Sequence, residues 1–112
     1  MLQIEQGKVV CTYEDEENLK AFIKQKNIPD EYFDKLNKIL YRVYGTVAVF
    51  FRLHDTQFRD NEFNGLVVLI EIDCGRIPND QATRLEAKLF ESMAKNQMLI
   101  RFLKYIVFTQ KV

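Results

Sequence analysis

The chain has 112 residues, 47% of them hydrophobic, and its 16 Lys and Arg balance its 16 Asp and Glu. That length and apolar content suit one domain over 1–112 with a core of its own, and exclude a disordered or collagen-like chain, as do 4 Gly and 2 Pro. Zero net charge speaks against a bulk nucleic-acid binder, whose affinity rests on neutralising phosphates, and equally against a strongly acidic nucleic-acid mimic.

Residues 2–5 alternate apolar and polar, Gln6 and Gly7 interrupt, and Val9, Cys11 and Tyr13 resume the alternation. The pattern predicts a bulged strand or a short hairpin. Glu14, Asp15, Glu16 and Glu17 then gather four carboxylates, which favour the positive end of a helix dipole. Leu19, Phe22 and Ile23 follow at helical spacing, and Asn27 can cap the end. Pro29 forbids simple continuation but suits the start of a second helix, so the first helical segment is split there. Phe33, Leu36, Leu40 and Val43 form the stripe of that second helix, and Gly45 stands where a left-handed cap is wanted.

Residues 46–54, rich in Val and Phe, read as a strand, and so do residues 66–73. Between them, 55–65 is polar apart from Phe58 and Phe63, and long for a hairpin loop. Pro78, Asn79 and Asp80 open a helix lined by Ala82, Leu85, Leu89 and Met93, with a break expected at Asn96 and Gln97. The tail, with Tyr105, Ile106, Val107, Phe108 and Thr109 in succession, predicts a last strand. The competing reading continues the helix through Ile100 and Leu103. The order is strand, helix pair, strand, strand, helix, strand. It suggests an α+β fold with an antiparallel sheet, helices on one face, and the ferredoxin-like βαββαβ arrangement.

Alternation sorts the side chains of the two central strands. Val47, Val49, Phe51 and Leu53, with Leu66, Val68, Ile70 and Ile72, are uniformly apolar and should meet the helices. The other face mixes Phe50, Val67 and Leu69 with Arg52, His54, Glu71 and Asp73. An apolar centre with a charged edge is the pattern of an interaction surface. Phe50, Arg52, His54, Val67, Leu69 and Glu71, joined by Arg59 from the following loop, are therefore the candidate binding residues. The plainer reading is a solvated face with cross-strand ion pairs such as Arg52 with Glu71.

The densest reactive cluster is Arg52, His54, Asp55, Arg59, Asp60 and Glu62. His54, the sole histidine, is the default proton carrier near neutral pH, and Asp55 or Asp60 could orient it. Two arginines could hold a phosphate, which gives a phosphoester or proton-transfer enzyme as the alternative function. The same His54, Asp55 and Asp60 could ligate a hard cation, but their spacing is not ordered, and no metal or other cofactor is expected. Glycine-rich phosphate loops are absent, and Ser92, the only serine, lacks the flanking glycines of a nucleophile elbow. Cys74 as a nucleophile would need a lowered pKa, which Arg76 could supply, but no second histidine is present as a base. A single-stranded RNA-binding sheet is a further alternative, with Phe50 and Tyr105 stacking bases beside Arg52 and Arg101. Glu71 and Asp73 on that face oppose it.

Cys11 and Cys74 form no metal-binding spacing and are expected to be reduced. The start has no basic-then-apolar leader pattern, and no apolar run approaches a membrane span. The expectation is a small cytosolic protein-binding module, a homodimer or an adaptor, regulator, inhibitor or immunity-type partner of another protein, away from membranes and nucleic acid.

Overall fold

The computed structural model describes residues 10–55 and 65–111, and of Val10 its backbone alone. The elements run β1 (Val10–Tyr13), α1 (Glu16–Gln25), α2 (Asp30–Tyr44), β2 (Ala48–Asp55), β3 (Leu66–Asp73), α3 (Asn79–Ala94), α4 (Gln97–Arg101), a 3-10 turn (Leu103–Tyr105) and β4 (Ile106–Lys111). The segment expected as a strand over 2–5, and most of the loop 55–65, lie outside the described residues.

Local chemistry accounts for the helices. α1 opens with Glu16 and Glu17 in its first turn and has Lys24 in its last, as its dipole favours. Asn27 takes a left-handed φ of 56° and ends it, with the Ile28 N–H donating to the Ile23 carbonyl at 3.0 Å. Pro29 then stands at the cap of α2, so the split falls where the sequence placed it. The buried side of α2 is Tyr32, Leu36, Leu40 and Tyr44, with Phe33 and Val43 half-buried. The expected stripe is thus rotated toward the tyrosines, whose rings supply more apolar area than their hydroxyls forfeit. Gly45 ends α2 at φ 78°, its N–H donating to the Tyr41 carbonyl at 2.8 Å. After α3 the Asn96 side chain accepts from the Met98 N–H at 3.0 Å and starts α4. The break thus falls at Lys95 and Asn96, α3 does not run on through Leu103, and the tail ends in the expected strand, which starts at Ile106 after a separate short helix and a 3-10 turn.

The four strands stand in the order β1-β2-β3-β4. β1 runs parallel to β2, β2 antiparallel to β3, and β3 parallel to β4. The sheet is mixed and the strands are neighbours in chain order, instead of the antiparallel, interleaved ferredoxin-like arrangement expected from the element order. Alternation fixes which face a residue occupies but not which strand lies beside it, so the sequence pattern fitted both arrangements.

All helices cover one face. Val49, Phe51, Val68, Ile70 and Ile72 of the sheet form one buried cluster with Leu19 and Phe22 of α1, Leu36 and Leu40 of α2, Leu89 and Met93 of α3, and Leu99 of α4. Gln110 of β4 ties the layers together, donating to the Tyr44 hydroxyl at 2.6 Å and to the Ala82 carbonyl at 2.9 Å. Seen from the helices, β1 to β2 and β3 to β4 step in the same direction while the two strand pairs point oppositely. The two crossovers therefore have opposite hands, and one is left-handed, against the usual preference.

Candidate interaction surface

Among the described residues, no helix lies on the outer face of the sheet. The register builds it in rows: Thr12, Phe50, Glu71 and Thr109; then Arg52, Leu69 and Val107; then His54 and Val67. Every described sequence candidate for binding falls on this face, and β4 adds Val107, which sequence reasoning did not single out. Arg59 lies outside the described residues.

Exposure divides the set. Val67 and Leu69 are 4% and 8% exposed, so the chain itself buries them. They belong to the interior strand β3, and Leu69 has Arg52 on one side and Val107 on the other. Phe50 and Val107 remain 38% and 40% exposed, a high fraction for large apolar groups on one sheet face. Arg52 and His54 are exposed and Glu71 is half-buried. No ion pair joins Arg52 to Glu71, the pair that a merely solvated face was expected to form; the ion pair found among the described residues is Lys20 with Glu16 on α1. Arg52 and Glu71 thus flank the apolar residues without neutralising each other.

The reactive cluster changes membership. Arg52, His54 and Asp55 sit at the end of β2 and share a recess of about 320 Å³ with Glu14 and Asp15, from the link between β1 and α1. The parallel β1–β2 pairing brings that link there, since the Glu14 N–H donates to the Phe51 carbonyl at 2.9 Å. The sequence signal for Glu14 and Asp15 is their acidity, which by itself points only to the dipole of α1. Asp60 and Glu62 lie outside the described residues. No group of three or more potential metal ligands occurs among the described residues.

Two other candidates lose support. Cys74 is fully buried, and burial first, then the Asp73 and Glu86 carboxylates, push its thiol up, the reverse of what a nucleophile needs. Tyr105 does not stand with Phe50 on the outer face: its ring meets Phe22 of α1 edge-on at 6.3 Å, with Lys26 at 5.4 Å and Lys104 at 5.2 Å over it. Phe50 is then the only aromatic of β1–β4 exposed on that face among the described residues, which leaves a base-stacking platform one ring short.

Sequence reasoning also missed an open groove of about 870 Å³ beside α1. Tyr13, Leu19, Ile23, Ile28 and Phe33 line it, with Glu16, Lys20, Lys24 and Asp30 among its polar residues. It lies where the left-handed turn at Asn27 brings Ile28, Pro29, Asp30 and Phe33 into one lining with α1, which no periodicity reports.

Among the described residues no helix is long and apolar enough to cross a membrane. Comparison with protein-family models, with curated proteins and with solved structures finds no match to this chain.

Proposed function

We propose that this chain is a small cytosolic protein-binding module, an adaptor, regulator or inhibitor-type partner, whose outer sheet face receives another protein. The observation that carries this reading is the placing of exposed Phe50 and Val107 on the face opposite the described helices, with Arg52 and Glu71 beside them and not paired together. Apolar anchors within a rim of charge give affinity at the centre and orientation at the edge. A photo-crosslinking residue at position 50, compared with one at exposed position 38 on α2, tests it in cells. A discrete adduct from 50 that Arg52→Glu weakens supports the reading. Equal adducts from both positions, or none from 50, refute it.

A second reading, a phosphoester or proton-transfer enzyme, is supported by the recess at the end of β2. There His54 would carry the proton, Asp55, Asp15 or Glu14 would orient its ring, and Arg52 would hold an anionic group. Turnover of phosphodiester or phosphomonoester substrates by the wild type, lost in His54→Gln, would favour it over the binding reading.

A further inference from the structure

We propose that β4 is a self-association edge: two copies of this chain pair β4 to β4, antiparallel about a twofold axis near Phe108, and α3 packs against its partner copy across the same axis. The inference does not rest on the outer-face reading, because it uses a different surface.

The backbone fixes which groups are on offer. β4 is an end strand of the sheet. The Lys111 carbonyl accepts from the Cys74 N–H at 2.8 Å, on the β3 side. Backbone groups alternate sides along a strand, so those of Val107, Thr109 and Lys111 face β3 and those of Ile106, Phe108 and Gln110 face away. The Ile106 N–H is taken by the Leu103 carbonyl. The Phe108 and Gln110 N–H groups and the Ile106 and Phe108 carbonyls have no backbone partner among the described residues. A dyad at Phe108 pairs each of these: the Phe108 N–H with the partner copy's Phe108 carbonyl, and the Gln110 N–H with the partner copy's Ile106 carbonyl, each in both directions. Among the described residues nothing blunts the edge. β4 has no proline, its register with β3 is unbroken, and its one charge is the terminal Lys111.

The flank of the edge matches. Phe90 of α3 is 42% exposed and meets Phe108 edge-on with ring centroids 5.8 Å apart. It lies in a helical row with Thr83, Ala87 and Ala94, all exposed. The neighbouring row toward solvent is Arg84, Lys88, Glu91 and Lys95. A solvated flank would carry such charges too; this one carries an aromatic among small side chains, which permit close helix approach. The occupant is a second copy because the surface complements itself. Antiparallel α3 helices related by an axis between Ala87 and Phe90 set Lys88 of each beside Glu91 of the other, at the rim. That axis passes beside Phe108, the point where β4 pairs with itself, so sheet and helix ask for the same symmetry. The product is a continuous sheet with both outer faces on one side.

Sedimentation equilibrium at about 100 micromolar tests the proposal on the wild type, Ala87→Glu, Phe90→Glu and the control Ala21→Glu. The expected result is a wild-type dimer whose dissociation constant rises at least about tenfold in Ala87→Glu and Phe90→Glu, with melting of Ala87→Glu unchanged at dilutions where both proteins are monomeric and association unchanged for Ala21→Glu. A monomeric wild type overturns the proposal. So does a dimer indifferent to both α3 substitutions, or one abolished by Phe50→Glu and not by Ala87→Glu, which places the contact on the outer face.

Discussion

Replacing Tyr32 by phenylalanine should stabilise this protein. Tyr32 is fully buried under α2, meeting Phe33 edge-on at 5.1 Å and Phe102 at 5.9 Å. Its hydroxyl has no hydrogen-bond partner. Leaving a buried polar group unpaired costs about 1–3 kcal/mol, and Tyr32→Phe removes that cost while keeping the ring and both aromatic contacts. Against it stands the loss of the packing that the oxygen itself makes, about 0.5–1 kcal/mol on the scale of one buried methylene. The balance is a gain of about 1 kcal/mol, a rise of roughly 3–5 °C in melting temperature for a chain of this size. Urea unfolding of the two proteins, with the slope m unchanged, measures it. A loss of about 1 kcal/mol or more would refute the reasoning, because it would mean that the hydroxyl is satisfied in the folded protein.

Alkaline pH should unfold the protein through its tyrosines. Burial raises Tyr32 furthest; burial raises Tyr13 to about 12, helped by Cys11, and Tyr44 to about 12 despite its bond with Gln110. The unfolded chain releases these protons near pH 10 and the folded one holds them, so stability is intact below about pH 10 and falls as pH rises toward 12; denaturant midpoints across that range should show the fall, shallower in Tyr32→Phe. Gly45→Ala should cost about 1–3 kcal/mol by thermal unfolding, because at φ 78° and ψ −139° a side chain strains the backbone although no atom lies within 4 Å of the added Cβ; an unchanged melting temperature would contradict this. Neither cysteine is in a disulfide, and Cys11 is half-buried while Cys74 is buried with its thiol pushed up, so a thiol reagent at pH 8 should label Cys11 first and Cys74 only on unfolding; mass spectrometry of timed samples distinguishes the order.

Most elements and the two faces of the sheet are legible in the sequence. The breaks at Pro29 and Gly45, the helical rows of α1 and α3, and the period-two alternation of β2 and β3 are local chemistry, and local chemistry survives into the fold. It also marked Phe50, Arg52, His54 and Glu71 as sharing a surface, because alternation alone puts them there. Tertiary structure decided which strands are neighbours, since a βαβ order is compatible with adjacent or interleaved strands and hydrogen bonds between strands carry no sequence signal. From that choice came what no pattern could show. Val107 joins the outer face because β4 lies against β3, Glu14 and Asp15 share a recess with His54 because β1 lies against β2, and β4 is an end strand because among the described residues none follows it in the sheet order. Each follows from a pairing between strands far apart in the chain or from the lack of one, and such pairings are fixed only when burial of the shared core settles the arrangement of the layers.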